Sequence, residues 1–343
     1  MNDHPADTMR ERADQSRLGG WVLLSGDRWV IATAVLGVYG LGVLAAAAFL
    51  PERVPIEIDD PIETLFQALV TTTITSVTLV VSINSLVLSQ ELGPLGDQHD
   101  RIAGAMSFRR DVEDELGVDV TAATPAGLLR ELVTAASDRA RALSSTAGAT
   151  IGDDERVTVY AEELEHHAAA TASALSGAQF GSFGVVSAAL NFNYSWKIYE
   201  ARRLRAAFGS ATSDGNASAP EPTASRQPTA PEVAEALDDV VSVLLLFGAA
   251  REHVKTLYFQ STLVELSRAM LYTAVPSLVV ATNVLLFHGV LGTVSATTLG
   301  IAHYVWIVAV ASAIALAPFA ILLSFVLRIG TVAKRTLSIG PLI

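Results

Sequence analysis

The residues with the clearest chemical pattern are hydroxyls in one long apolar segment. Thr71, Thr75, Thr78, Ser82, Ser85 and Ser89 are separated by 4, 3, 4, 3 and 4 residues. At 3.6 residues per turn this spacing puts all six within an arc of roughly 80° on an α-helix. Leu79, Val80, Val81, Ile83, Val87 and Leu88 fall outside the arc, as do Thr72, Thr73 and Ser76, and Asn84 lies nearly opposite it. The average spacing of 3.5 residues is also that of a left-handed bundle, which keeps one stripe facing one axis along its length. Two readings follow. In the first, several copies of the helix surround an axis and their hydroxyls line a water-filled ion path, because a hydroxyl can donate or accept without holding an ion too tightly. In the second, small hydroxyl residues let helices pack closely and bond back to the carbonyl one turn earlier.

Flanking residues add detail to the first reading. Leu79 and Leu86 border the stripe and would form an apolar constriction that gates by dewetting if the helix rotated. Glu63 before the stripe, with Glu91 and Asp97 after it, would place charged rings at the two mouths. Glu52, Glu57, Asp59, Asp60 and Asp100 add to the same acidic ends.

The stripe needs a membrane to position it. Four apolar segments approach the roughly 20 residues that cross a bilayer. They run over 29–50, about 64–88, about 269–287 and about 303–327, without Asp, Glu, Lys or Arg inside; Pro276 and Pro318 interrupt the last two. None reads as a cleaved signal, because the first begins late and is too long. Of 23 Lys and Arg residues, Arg53 alone lies in the two short connections. The remaining 22 fall before span one, between spans two and three, or after span four, which predicts both termini and the central region on the cytoplasmic side.

These boundaries divide the chain into a cytoplasmic N-terminal segment (1–28), spans one and two (29–90), a cytoplasmic helical domain (91–208) and a flexible linker (209–231). A juxtamembrane helix (232–268), spans three and four (269–328) and a cytoplasmic tail (329–343) complete it. Gly93-Pro94 ends span two. Thr124-Pro125 has the cap-then-proline start of a helix continuing to about Leu143. Further helices are expected from about Asp153 to Ser176 and Phe183 to Phe208. Pro231-Glu232 opens one that runs without interruption into span three. Val240 to Phe247 is apolar but too short to span, and is expected to pack against neighbouring helices. The fold class is all-α: a polytopic membrane protein with four transmembrane helices and a helical cytoplasmic domain, as a ring-shaped homo-oligomer.

Composition bounds the chemistry. The 343 residues are 51% hydrophobic and 17% charged, with net charge −12 and no cysteine. Disulfides and thiol catalysis are excluded, and the acidic balance argues against nucleic acid as a partner. An acidic chain with only three lysines also fits a salt-adapted, halophilic surface. Asp, Glu, Lys and Arg are absent from the spans and His303 sits only at an edge, which argues against proton-coupled transport. No catalytic constellation, phosphate loop or nucleophile elbow is present, so no enzyme and no cofactor is expected. Glu162 with His166, and Glu163 with His167, are i,i+4 pairs able to share a divalent metal, but nothing completes a ligand set, so no metal site is expected. Arg202, Arg203 and Arg205 read as a lipid-touching or salt-bridged face.

This arrangement resembles bestrophin-type channels, over about residues 20 to 335. The resemblance implies four membrane helices, both termini inside, a helical section between the second and third, and a pentameric pore lined by the second. The aromatic and aliphatic neck of that family is replaced here by Thr78, Ser82 and Ser85, a departure that bears on anion selectivity and calcium gating. Locally, Val80-Val-Ser-Ile-Asn-Ser-Leu-Val-Leu-Ser-Gln-Glu-Leu-Gly-Pro94 is similar to the second-helix signature of an uncharacterised prokaryotic membrane family. The expectation is an oligomeric ion channel in the cell membrane, pentamer favoured, whose partners are the lipid bilayer, inorganic ions and copies of itself. The alternative is a non-conducting scaffold whose cytoplasmic helices recruit a partner.

Overall fold

The computed structural model describes residues 17–49, 59–91, 93–148, 155–178, 183–211, 230–291, 293–294 and 296–336. Most of the linker, the connection carrying Glu52 and Glu57, and the tail beyond 336 therefore lie outside the described residues. The described residues are all-α apart from one small hairpin, and the chain divides into two compact units.

The first unit comprises residues 17–93 and 259–332. A short helix, α1 (Arg17–Gly20), passes through one π-helical turn into α2 (Arg28–Phe49). Asp27 caps α2, its Oδ1 accepting from Trp29 N at 2.7 Å. Arg28 is buried but fully bonded: its guanidinium donates to the carbonyls of Val22, Leu24, Gly26 and Ser324, so the start of α2 is tied to the last helix. Next comes α3 (Asp59–Glu91), rich in β-branched residues; in lipid only a helix satisfies its backbone internally.

The last two membrane elements are the C-terminal part of α9 (Ala230–Leu291) and α10 (His303–Thr336). A two-residue hairpin joins them, pairing Thr297 with Ala302 and turning at Leu299 and Gly300, both at positive φ. Two apolar clusters fill this unit. Ala32, Val80, Met270, Ile321 and Phe325 form one, and Ile62, Phe66, Leu69, Ala281 and Ala315 the other. Cross-helix hydroxyl bonds supplement them: Thr73 Oγ1 donates to Ala315 O at 3.3 Å and Ser277 Oγ to Ile314 O at 2.7 Å. Four helices are long and apolar enough to cross a membrane: those containing Arg28–Phe49, Pro61–Ser89, the apolar part of α9, and His303–Lys334.

The second unit is built from α4 (Leu95–Leu116), α5 (Pro125–Gly148), α6 (Glu155–Ser176), α7 (Phe183–Leu190), α8 (Tyr194–Ala211) and the N-terminal part of α9. Thr124 caps α5, accepting from Gly127 N at 3.1 Å, with Pro125 in the first turn where its missing N–H costs nothing. The helix expected over 183–208 is two helices. Asn193 ends the break at 191–193 by accepting from Trp196 N and starting α8. The end of α8 at Ala211 also carries helix into the segment expected to be linker.

Along α9 the buried positions Val233, Leu237, Val240, Leu244, Phe247, Arg251, Val254 and Tyr258 recur at alternating spacings of 4 and 3 residues. This is the core seam of the unit, and Val240–Phe247 packs inside it as its apolar character suggests. Arg139 clamps three helices, donating to Glu115 O on α4 at 2.6 Å and to Asp239 O on α9 at 2.7 Å.

Candidate functional site: the hydroxyl face of α3

The buried line of α3 consists of Ile62, Phe66, Leu69, Thr73, Ser76 and Val80, spaced 4, 3, 4, 3 and 4 residues apart. Adding nine residues to each gives Thr71, Thr75, Thr78, Ser82, Ser85 and Ser89. Nine residues are about two and a half turns. The hydroxyl stripe is therefore diametrically opposed to the face that packs inside the protomer, and all six of its members are exposed. The off-stripe hydroxyls behave differently. Thr73 and Ser76 are 3% and 6% exposed and belong to the packed face, while Thr72 bonds back to Ala68 O at 2.8 Å. Apart from Thr72, which lies between them, the hydroxyls of the first half of α3 thus resolve into two opposite faces.

Five stripe hydroxyls donate to the helix's own backbone. Thr71, Thr78, Ser82 and Ser85 reach the carbonyl four residues earlier at 2.8–3.0 Å, and Ser89 reaches Leu86 O at 2.7 Å. Satisfied in this way, they are tolerated in an environment of low dielectric constant. Leu79 and Leu86 flank the stripe and are 50% and 63% exposed. Asn84, nearly opposite, is half-buried. Beyond Val80 no described side chain of α3 is buried, and only Asn84 and Val87 among the described side chains there are half-buried.

The stripe is longer than its six residues. Thr64 and Gln67 continue the same line toward the N-terminus and are exposed. The signal is the same 3,4 spacing, obscured because glutamine and an isolated threonine at a helix start read as boundary residues. Gln67 Nε2 donates to Glu63 Oε1 at 2.8 Å, bringing that half-buried carboxylate to the N-terminal end of the stripe. Glu91 ends α3, whereas Asp97 lies exposed in the first turn of α4, in the other unit.

Several of the remaining polar candidates have structural partners. Among the described residues no group of three or more His, Asp or Glu side chains is arranged to hold a metal. His167 Nδ1 lies 2.9 Å from Lys197 Nζ, and Glu165 accepts from Arg141. Two of the three clustered arginines are in ion pairs, Arg203 with Glu200 at 3.0 Å and Arg205 with Asp238 at 2.6 Å. The pKa shifts outside the spans also have structural causes. Burial, then the charge of Glu200, pushes Tyr160 up, and burial pulls Arg251 down.

An all-α chain with four helices able to cross a bilayer defines a multi-pass membrane protein. Over residues 1–343 the chain matches the model of a family of unknown function, DUF7972, and belongs to that family. Neither curated proteins nor solved structures yield a match.

Proposed function

We propose that this protein is a homo-oligomeric ion channel of the cell membrane, with both termini cytoplasmic and a path lined by Thr71, Thr75, Thr78, Ser82, Ser85 and Ser89. One observation carries this reading. Six hydroxyls lie exposed on the face of α3 directly opposite the line that packs in the protomer, so close packing within the chain does not account for them. One stripe per chain cannot enclose a path, so several copies must surround an axis, and a pentamer is the first choice by architectural resemblance. Glu63 and Glu91, near the two ends of α3, then sit toward the mouths, and Leu79 and Leu86 at the edge of the path. The experiment is conductance of the full-length protein in planar bilayers, with native mass measured in parallel. Ser82→Trp is expected to block current while leaving the oligomer intact; undiminished current overturns the assignment.

A second reading, a non-conducting scaffold that recruits a partner, is supported by α4. Every residue from Leu95 to Ser107 is exposed, including Leu95, Ile102 and Met106, and a helix with glycines at 96 and 104 gains little stability alone. A groove of about 190 Å³ lined by Phe108, Pro125, Leu128, Ala250 and Val254 lies in the same unit. A monomer or dimer without conductance favours this second reading.

A further inference from the structure

The direction of the hydrogen bonds on α3 bears on which ions the path would carry. A serine or threonine hydroxyl has one proton to donate and two lone pairs to accept with. In five of the six stripe hydroxyls the proton is committed inward. Thr71 donates to Gln67 O (3.0 Å), Thr78 to Ile74 O (2.9 Å), Ser82 to Thr78 O (2.8 Å), Ser85 to Val81 O (2.8 Å) and Ser89 to Leu86 O (2.7 Å). What these side chains turn outward is oxygen with free lone pairs. The exposed face is a line of acceptors.

A cation needs oxygen lone pairs and meets them here with no rearrangement. An anion needs donors, and five of the six hydroxyls would first have to release a backbone carbonyl. Net charge points the same way and is independent of the rotamers. Helix α3 carries Asp59, Asp60, Glu63 and Glu91 and no Lys, Arg or His over its 33 residues. At its N-terminal end Gln67, in line with the stripe, donates to Glu63 Oε1 at 2.8 Å and so fixes that carboxylate beside the path.

We propose that the path conducts small monovalent cations, with acceptor oxygens along its length and the Glu63–Gln67 pair setting selectivity at its outer mouth. The lining oxygens are neutral, so they replace part of the hydration shell of a monovalent ion but do not offset the dehydration of a divalent one. This assignment rests on the pore reading and adds the sign and valence of the permeant ion.

The test is the reversal potential of the full-length oligomer in planar bilayers under a KCl gradient. The expected potential lies toward that of potassium, with permeability to potassium over chloride of about tenfold or more. Replacing part of the potassium by calcium should lower the current. Glu63→Gln keeps the shape and the bond to Gln67 within reach, and should lower the permeability ratio severalfold while current persists. Ser82→Ala with Ser85→Ala removes two acceptors and should lower potassium conductance. A current reversing at or toward the chloride potential, calcium carried as well as potassium, or a ratio unmoved by Glu63→Gln overturns the assignment and leaves the pore standing. An intact oligomer that carries no current overturns the pore reading, and this assignment with it.

Discussion

Ser277 Oγ donates to the carbonyl oxygen of Ile314 at 2.7 Å, and Pro318 is the reason that carbonyl is available. Proline has no N–H, so the carbonyl four residues before Pro318 loses its helical partner. Ser277, 1% exposed on α9, offers a donor from the neighbouring helix, its one proton shared between Ile314 O and Thr273 O of its own helix, which also lies 2.7 Å away. Helix α10 thereby continues through Pro318 to Thr336.

Ser277→Ala should therefore destabilise the membrane unit by about 1 kcal/mol, in the range of interhelical hydrogen bonds in bilayers. Ser82→Ala, which removes only a local back-bond from an exposed position, should stay within about 0.5 kcal/mol of wild type. Unfolding in detergent compares the two. Equal losses would show that the Ile314 carbonyl has no need of Ser277.

The absence of cysteine makes α3 open to thiol scanning. Single cysteines at Thr75, Ser82 and Ser85 should react with water-soluble methanethiosulfonates in the assembled protein, and those at Phe66, Leu69 and Val80 should not. A cationic reagent should react faster than an anionic one of similar size. An inert Ser82→Cys in a conducting oligomer would place that face against protein or lipid.

Tyr160 predicts an alkaline transition in the other unit. Its hydroxyl donates to Lys197 O at 3.0 Å, and burial raises its pKa above the ordinary value near 10. The native state holds its proton after the unfolded chain has lost it. The stabilisation is complete below pH of about 10 and declines by about 1.4 kcal/mol per unit as pH rises toward the native pKa. Tyr160→Phe should lose about 1 kcal/mol at neutral pH and flatten this decline. Parallel stability curves for the two proteins above pH 10 would contradict it.

Arg251 occupies a core position of the α9 seam. Its side chain is 0% exposed, stacked 5.0 Å from the Tyr194 ring, with Glu252 at 3.5 Å and no hydrogen bond to its nitrogens. Arg251→Met should be neutral or stabilise by about 1–3 kcal/mol, because a buried cation gives way to an apolar side chain of similar length. Gly248→Ala should do the reverse. A Cβ there meets Tyr194 Cε2 at 2.5 Å, and such overpacking costs about 1–3 kcal/mol. Thermal melts of both variants decide the pair.

Much of the molecule is legible in one dimension. Charge-free apolar runs of about 20 residues announce the four membrane helices, because only a helix satisfies the backbone of such a segment from within itself in lipid. Spacing alone likewise puts six hydroxyls on one side of α3, since helical geometry converts residue number into angle. Local signals are weaker where two apolar helices meet without glycine or proline. The break at 191–193 depends on Asn193 capping α8, and Phe192 and Tyr194 on either side are buried in the same core.

What tertiary structure decided is which side of a helix has neighbours. Thr73 and Thr75 are chemically equivalent in the sequence. One is buried and bonded to Ala315 O across the bundle, and the other faces outward. The same holds for Ser277, whose role exists only because folding brings it against the carbonyl freed by Pro318. Periodicity states that a face exists, because it arises from bonds along one chain. What that face touches depends on helices more than two hundred residues apart, as Thr73 and Ala315 are, and only their packing assigns it.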